Sequence, residues 1–399
     1  MNRRVLALAC LASAAAAAQG ELVVWHSYRA AEKAAIEKVV AAYNGSHPGA
    51  KVTTLAVPYD AFADKISAAV PRGKGPDVFI YAQDRLGGWI EAGNTVEPID
   101  FFLDEATRSR FIPSTLEAMT YRGTVWGLPV NYKVITLIYN KKLVEKPPAD
   151  TKELVALGKK LTDRAAGRFG LAYWYSDYYY HAALQNAFGG RVFDGSSAKP
   201  VLNAPENVKG LELLVSWLDA GILPAEPSTA LITALFNGGK AAMIFTGPWF
   251  LGEIDPSIQW GLALLPRAVE AGNKPLRPWM TVEGAFIAAP SKRKDTAYDF
   301  VKFLTDRPSA KTMALEGRQS PSNKAAYEDP IVANDPVLKA FRAQVEVAVP
   351  MPNLPEMTMV WSPATIMMAS VAKRTIAPKA ALDKAQAEVL KAVAELHRK

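Results

Sequence analysis

Cysteine is almost absent from this chain, which has 399 residues and a single cysteine, Cys10. Because Cys10 falls in an N-terminal stretch that we expect to be removed, the mature protein would carry no thiol. That excludes disulfides, zinc–thiolate sites and cysteine nucleophiles. Histidine is also scarce, and no two of the four histidines have metal-ligand spacing: His26, His47, His181 and His397. The sequence therefore predicts neither a metal site nor a cofactor.

Motifs for catalysis are missing as well. The chain has no G-x-S-x-G elbow, no P-loop and no dinucleotide-binding fingerprint, and "RGKGPD" at residues 72–77 lacks the Lys-Ser/Thr ending of a phosphate loop. A glycoside hydrolase needs two carboxylates at a set separation. Carboxylates are plentiful here, but nothing singles out a pair. We therefore expect a protein that is not an enzyme, with a secreted glycoside hydrolase as the alternative.

The apolar N-terminal stretch is too short to span a bilayer comfortably. It follows Arg3 and Arg4 and ends in "AAAAAQG", where Ala16 and Ala18 meet the small-x-small cleavage rule. Residues 1–18 are therefore predicted to be a cleaved signal peptide, which places the mature protein in the periplasm. A lipoprotein with its first residue at Cys10 is disfavoured because too little apolar sequence precedes that position.

Clustered basic charge is lacking. The formal charge is +7, and loss of Arg3 and Arg4 would leave +5, with the remaining lysines and arginines scattered along the chain. Such a distribution is typical of a solvated surface, so we expect no nucleic-acid partner. Half of the residues are apolar and 21% are charged, a globular composition in a chain long enough for two cores.

Strands and helices alternate along the sequence with short connections. This pattern predicts an α/β fold with a mostly parallel sheet covered by helices. The predicted strands are 22–25, 52–57, 78–81, 134–140, 241–246 and 285–290. The predicted helices start near residue 30 and continue with 61–70, 208–218, 229–236, a segment through 298–304, and 382–396. Because no long linker divides the chain, we expect two lobes that share it discontinuously.

Side chains suited to sugar binding follow the third predicted strand. In "GPDVFIYAQDRLGGW" the apolar strand is followed by Asp84 and Arg85, with Tyr81 and Trp89 on either side, and "TGPWF" places Trp249 at the end of another strand. A pyranose has an apolar face that aromatic rings cover and a rim of hydroxyls that an acid–base pair can bind. Ligands of α/β proteins bind at such strand ends. A structural ion pair and core tryptophans are the competing interpretations.

Four motifs in order resemble those of the maltose/maltodextrin-binding proteins of bacterial ABC importers, within the extracellular solute-binding superfamily. They are "GPDVFIYAQDRLGGW", "GLPV…LIYNK", "FNGGKAAMIFTGPW" and "MPNLPEM…W", and the likeness covers nearly the whole chain from Leu22. The resemblance implies a type II periplasmic-binding-protein fold, α/β, with two discontinuous lobes around a ligand cleft. It implies hinge crossings near 131–136, 278–283 and 330–337, an N-terminal lobe of 21–131 plus 283–330, and a C-terminal lobe of 136–278 plus 337–399.

The resemblance also implies binding roles for residues of this chain. Asp84 and Arg85 match the family's hydroxyl-binding pair, and Trp249 and Trp361 match its stacking platforms.

Five further residues match other ligand contacts of the family. Tyr179 matches an aromatic wall, Asp177 stands where the family has a longer acid, and Tyr81 stands where it has a stacking Trp. Met351 matches an apolar contact, and Asp64 matches a polar contact at the cleft edge.

Two positions depart from the family pattern. Lys133 stands where the maltose binders carry a glutamate that accepts sugar hydroxyls, and a lysine can only donate, so the local hydrogen-bond polarity would be reversed. The first strand ends in "WHSYRA", so Ser27, Tyr28 and Arg29 would meet the sugar differently.

The resemblance implies a function of reversible capture without chemistry. A monomer would bind a maltodextrin-type oligosaccharide, such as maltose or maltotriose, and deliver it to the permease subunits of an ABC transporter. Trehalose or another α-linked oligosaccharide is the alternative ligand. A further alternative is iron, bound by the adjacent tyrosines and histidine of the run 178–181.

Overall fold

The computed structural model describes residues 21–195 and 198–398. The predicted signal peptide, residues 1–18, lies outside the described residues, and Cys10 lies outside them with it. In chain order the strands are β1 Leu22–His26, β2 Val52–Ala56, β3 Val78–Ala82, β4 Thr120–Tyr121, β5 Thr124–Val125, β6 Gly127–Lys133, β7 Thr136–Asn140, β8 Phe169–Ala172, β9 Ala241–Thr246, β10 Trp260–Ala263, β11 Arg267–Ala268, β12 Lys274–Pro275, β13 Trp279–Ile287, β14 Ser320–Pro321 and β15 Val349–Pro350.

Helices surround these strands. In chain order they are α1 Ala30–Ser46, α2 Tyr59–Ala69, α3 Leu86–Ala92, α4 Glu105–Arg108, α5 Pro113–Ala118, α6 Thr151–Leu161, α7 Tyr178–Ala187, α8 Pro205–Asp219, α9 Thr229–Asn237, α10 Lys294–Leu304, α11 Arg307–Leu315, α12 Pro330–Asn334, α13 Pro336–Val345, α14 Trp361–Ala372 and α15 Pro378–Leu396. Within residues 21–195 and 198–398, none of them has both the length and the apolar character needed to cross a membrane.

The larger sheet is mixed. Its strand order is β14-β6-β13-β3-β1-β2, and β15 pairs with β13. Strand β1 runs parallel to β2 and β3, whereas β13 runs antiparallel to β3 and β6. The prediction of a mostly parallel sheet is therefore wrong here. The chain leaves the larger sheet after β6 for the smaller one and returns to it through β13, so these two neighbouring strands run in opposite directions.

The smaller sheet has the order β10-β7-β9-β8. Its strand β7 is antiparallel to β9 and β10, and β8 is parallel to β9. Only Val134 and Ile135 separate β6 of the larger sheet from β7 of the smaller one, so the chain passes between the sheets at that point. The two sheets with their helices confirm the predicted two-lobed α/β fold. The residue boundaries of the lobes stay predictions, and the predicted crossing at 330–337 falls on α12 and the start of α13.

Burial explains why β3 can position polar residues at a sheet edge. All five of its residues, Val78–Ala82, are buried, as expected for a central strand covered on both faces. Helix α1 covers this region with an apolar face that includes Ile36, Val39 and Tyr43. A 3-10 turn, Gln83–Arg85, follows the end of β3 directly. The strand therefore holds the acid–base pair at the carboxyl edge of the larger sheet.

Candidate ligand-binding site

A cavity of about 730 Å³ lies where the ends of β1 and β3 face α7, α14 and the turn after β9. Its size suits a small-molecule ligand. Twelve residues that the sequence predicts to bind the ligand contribute to its wall: Ser27, Tyr28, Asp64, Tyr81, Asp84, Arg85, Lys133, Asp177, Tyr179, Trp249, Met351 and Trp361. The structure therefore brings the predicted site residues together, while their roles in binding stay predictions.

The acid–base pair meets a tryptophan from the C-terminal part of the chain. The Arg85 guanidinium Nε lies 3.2 Å from Asp84 Oδ2, and Asp84 is 4% exposed. Burial raises the pKa of the Asp84 carboxyl to about 6, although the Arg85 charge opposes this shift. The Arg85 guanidinium also lies 5.6 Å from the ring centroid of Trp361, the first residue of α14. Charged and aromatic groups thus share one wall.

Aromatic rings form the facing wall. Trp249 lies in the 3-10 turn Pro248–Glu253 that follows β9, and its ring centroid is 6.2 Å from that of Tyr179. A Cβ atom at Gly247 would lie 2.2 Å from the Trp249 ring, so this glycine lets the indole fold back against the backbone. Trp279 links Tyr179 to Trp361, with centroid separations of 6.4 and 6.1 Å. Trp279 is buried, so it packs against the cavity-lining rings of Tyr179 and Trp361 without lining the cavity itself.

The two rings that flank the acid–base pair in sequence are engaged by protein. Tyr81 is 4% exposed and stacks on Phe62 and Tyr59, with centroid separations of 5.0 and 5.2 Å. Trp89 is buried and donates its indole N–H to the Ser67 hydroxyl. Trp89 therefore belongs to the core. Tyr59, which is 55% exposed, is the ring of this group with most surface available to a ligand.

Asp177 has a structural role besides the predicted one. Its Oδ1 accepts a hydrogen bond of 2.8 Å from the backbone N–H of Tyr179, so it caps the N-terminus of α7. Burial raises the pKa of the Asp177 carboxyl to about 6; that backbone bond lowers it, and the charge of Asp60 raises it further. Asp60 and Asp64, on α2, line the same cavity.

Lys133 is not an isolated cation in the cavity. Its ammonium lies 2.7 Å from a Glu32 carboxylate oxygen and 3.1 Å from a Glu283 carboxylate oxygen. Both acids also line the cavity. Two acceptor groups therefore accompany the lysine, which the sequence did not show, and the hydrogen-bond polarity that a sugar meets here stays a prediction.

Arg29, which the sequence places beside the sugar, also lines the wall. Other wall residues were not predicted to bind a sugar: Glu32, Tyr59, Asp60, Trp174, Tyr180, Thr229, Thr281, Glu283 and Thr365. A signal exists for Glu283, since an acid interrupts an otherwise apolar strand. For Glu32 the signal is weaker, because an acid in the first turn of a helix is common.

The residues considered for iron do not converge on one point. Of the run 178–181, Tyr179 and Tyr180 reach the cavity wall. The Tyr178 hydroxyl donates instead to Gln185, and burial lowers the pKa of His181 to about 3. In the part of the chain that the structure describes, no cluster of three or more His, Cys, Asp or Glu side chains could hold a metal ion.

Comparison with known proteins gives consistent matches. The family described as "Bacterial extracellular solute-binding protein" matches residues 38–340. A "Maltotriose-binding protein" of Pyrococcus abyssi is 32% identical over 346 residues, covering 86% of this chain and 75% of the relative. A "Galactooligosaccharide-binding protein" of Bacillus subtilis is 29% identical over 378 residues, covering 92% and 87%. The solved Thermus thermophilus maltotriose-binding protein with bound maltotriose is 27% identical, has a TM-score of 0.86, and is covered over its full length by 93% of this chain.

Proposed function

The chain belongs to the bacterial extracellular solute-binding protein family, and from that premise we propose that it captures a maltodextrin-type oligosaccharide and delivers it to an ABC import permease. The observation that carries this proposal is the convergence of Asp84–Arg85 with Trp249 and Trp361 on one cavity. The names of the relatives from Pyrococcus abyssi and Thermus thermophilus support maltotriose as a ligand.

Each wall of the cavity offers what one part of a sugar requires. The rings of Trp249, Trp361 and Tyr179 cover the apolar C–H faces of the pyranose units. The Asp84 carboxylate accepts from sugar hydroxyls while Arg85 donates to a neighbouring one, and such charge-assisted bonds are the stronger kind. The remaining predicted contacts complete the rim: Ser27, Tyr28, Asp64, Tyr81, Lys133, Asp177 and Met351.

The charge of the cavity wall favours a neutral ligand. Acids outnumber bases among its residues: Glu32, Asp60, Asp64, Asp84, Asp177 and Glu283 against Arg29, Arg85 and Lys133. An anionic sugar, such as a uronide or a phosphorylated glucose, would meet excess negative charge in a partly buried site, which is costly. A neutral oligosaccharide avoids this repulsion and can still donate to the carboxylates.

Capture proceeds by closure of the two lobes. The sugar first binds to one lobe, and contacts from the other lobe then stabilise the closed form through hinge rotation. The ligand shifts this equilibrium only to the extent that it binds the closed form better. Micromolar affinity, about −8 kcal/mol, is enough for scavenging and still permits release to the transporter. The protein acts as a monomer in the periplasm, after removal of residues 1–18, and does no chemistry on its cargo.

Calorimetric titration tests the ligand. The panel is maltose, maltotriose, trehalose, sucrose, a galactooligosaccharide and a glucuronide as the anionic control. We expect the tightest binding for maltose or maltotriose and none for the glucuronide. Absence of binding heat and of thermal stabilisation for every neutral sugar would overturn the proposal. Tightest binding of the galactooligosaccharide would overturn the assignment of a maltodextrin as the ligand but would keep the capture mechanism.

Two further measurements test the other parts of the proposal. Maltotriose should be recovered intact after long incubation with the protein, and its cleavage would favour the glycoside hydrolase instead. The liganded protein should stimulate ATP hydrolysis by its purified importer in proteoliposomes. An unchanged rate of ATP hydrolysis would contradict delivery to that importer.

A further inference from the structure

A buried charge cluster forms part of the cavity wall where β6, β13 and α1 meet. It consists of Glu32, Lys133 and Glu283, and we call it the floor cluster. The side chains are 5%, 7% and 6% exposed, respectively, and all three line the cavity. Buried charges of this kind are rarely retained without partners, because desolvation disfavours them strongly.

In the floor cluster, the charge of Lys133 is balanced by two nearby carboxylates, whereas each carboxylate has only a share of one ammonium. Burial by itself lowers the pKa of the Lys133 ammonium, but Glu283 and Glu32 raise it above its ordinary value, so the lysine stays charged. Burial raises the pKa of the Glu32 carboxyl, and the Lys133 charge opposes that shift. Two carboxylates thus share one ammonium, which leaves hydrogen-bonding capacity on the acidic side.

Both carboxylate oxygens of Glu283 contact protein donors, whereas only one oxygen of Glu32 does. Glu283 Oε1 contacts Lys133, and its Oε2 accepts from Asn131 Nδ2 at 2.9 Å. Glu32 Oε1 accepts from both Lys133 and Gln319, at 2.7 and 3.2 Å. Among residues 21–195 and 198–398, no donor reaches Glu32 Oε2. Glu32 therefore has one acceptor atom available to a ligand.

Lys133 has a donor to spare beside that acceptor. An ammonium has three N–H groups, and two are directed to Glu32 and Glu283. The Tyr28 ring centroid lies 5.2 Å from Nζ and contributes cation–π attraction without accepting a conventional hydrogen bond. Within the described part of the chain no oxygen accepts the third N–H. A free donor and a free acceptor at one wall match a sugar hydroxyl, which donates and accepts at once.

The backbone holds these groups in fixed positions. Strands β6 and β13 pair so that Lys133 lies opposite Thr281 and Asn131 lies opposite Glu283. Glu32 lies in the first turn of α1. Because paired strands and a helix carry the side chains, a ligand does not have to order them on binding, which favours both affinity and selectivity.

We propose that Glu32 and Lys133 form a hydroxyl-binding subsite for one ring hydroxyl of a neutral pyranose, and that Glu283 is a positioning residue that holds the Lys133 ammonium. The inference rests on the proposed function, since it requires that a sugar enters the cavity. The subsite adds a further charged hydroxyl contact to those proposed for Asp84, Arg85 and Asp177. A site built to hydrogen-bond a hydroxyl rejects the analogue that lacks it.

A set of monodeoxy analogues of the best sugar tests this subsite by calorimetry. In the wild-type protein, two charged contacts predict at least two ring positions where loss of the hydroxyl weakens binding roughly tenfold or more. Glu32→Gln should weaken binding of the parent sugar by a similar factor and abolish the sensitivity at one of these positions only. Glu37→Gln, on the same helix with a side chain 51% exposed, is the matched control and should leave the profile unchanged.

Glu283→Gln separates positioning from general stability. It should reduce discrimination at the position that Glu32→Gln identifies, whereas a purely structural defect would weaken all analogues equally. An unaltered deoxy profile in Glu32→Gln, or a single sensitive position in the wild type, would overturn the subsite while leaving sugar capture intact. If the wild-type protein binds no sugar of the panel, both the subsite and the proposed function are overturned.

Discussion

The position of Trp249 makes its contribution to binding measurable in isolation. The indole packs over Gly247 and beside Tyr179, so its removal opens the cavity wall. Trp249→Ala should weaken sugar binding by about 1.5–3 kcal/mol through lost stacking and apolar burial. Trp249→Phe, which keeps a flat ring, should retain most of the affinity in the same calorimetric titration. Equal affinities for Trp249→Ala and the wild type would show that the stacking platform lies elsewhere.

Two buried carboxyls predict that sugar affinity depends on pH. The pKa values of Asp84 and Asp177 are both raised to about 6 by burial. A sugar hydroxyl donates to the ionised form, so affinity should be complete above about pH 7 and fall as pH drops through 6. At pH 5 each such contact costs roughly tenfold in Kd. Titrations at pH 5, 6 and 7 measure this, and Asp84→Asn should remove the part due to Asp84. A flat profile in the wild type would exclude both carboxylates as acceptors.

Burial of the Asp84 carboxyl predicts that the stability of the unliganded protein changes with pH in the opposite direction to its sugar affinity. The pKa of Asp84 rises from an ordinary 3.8 to about 6 on folding, so the folded state binds more protons between these values. The free energy of unfolding should therefore decrease as pH rises from about 4 to 6 and then level off with respect to this group. Denaturant titrations across this range, with Asp84→Asn as the control, measure the slope. An Asp84 contribution that increases with pH would contradict the burial of the carboxyl.

Sequence reasoning found the site residues that carry a local signal and missed those that depend on the fold. Asp84, Arg85 and Trp249 follow apolar strands directly, so their position at a sheet edge could be predicted. Glu32 and Glu283 are 251 positions apart and become partners only through Lys133. No pattern in one sequence reports a pairing of that kind, so the two acids beside Lys133 were not predicted.

At the level of elements, the turn after β3 is fixed by one buried side chain. Gln83 donates from Nε2 to the Met351 carbonyl at 3.0 Å and accepts from the Val282 N–H at 2.8 Å. It therefore ties the turn that carries Asp84 and Arg85 to β13 and to the segment after β15. Its exposure is 1%.

Loss of the Gln83 side chain should affect both stability and binding. Gln83→Ala leaves a buried N–H and a buried carbonyl without partners, and each unsatisfied group costs about 1–3 kcal/mol. We expect a lower free energy of unfolding in denaturant titrations, together with weaker sugar binding because the acid–base pair loses its support. Gln83→Glu keeps the acceptor for the Val282 N–H but loses the donor to the Met351 carbonyl and buries a carboxyl, so it should not restore wild-type stability. Wild-type stability in Gln83→Ala would show that water replaces both bonds.

Element boundaries show where sequence patterns lose information. The run "VITLIYN" is mostly apolar and predicts one strand, yet the chain leaves one sheet before it and joins another within it, so β7 begins only at Thr136. Strand β13 starts at Trp279, six residues before the predicted start at Ala285. The prediction missed these residues because the polar Glu283 interrupts the apolar pattern. Helices with a clear apolar face, such as α1 and α10, were placed well because amphipathic periodicity is a local property.

At the level of the whole molecule, the two halves touch beside the cavity. Arg29 Nε, just before α1, lies 2.7 Å from Glu253 Oε1 in the turn that carries Trp249. Ala30 has a φ of 44°, a left-handed conformation that is unfavourable for alanine. A Cβ atom at Gly252 would lie 3.1 Å from the Cβ of Ala31. The first turn of α1 and the turn after β9 thus approach closely because position 252 has no side chain.

A side chain at position 252 should therefore act on closure and not on sugar contacts. Gly252→Val adds branched carbons where even a Cβ is tight, so the two halves cannot approach as closely and the open form gains population. We expect a larger radius of gyration with saturating sugar in small-angle X-ray scattering and a weaker Kd, with thermal stability close to that of the wild type. Gly45→Ala, at a position with no neighbouring atom within 4 Å, is the control. If Gly252→Val closes and binds as the wild type does, the approach of α1 to the turn after β9 has no part in capture, and closure must depend on the hinge and the ligand alone.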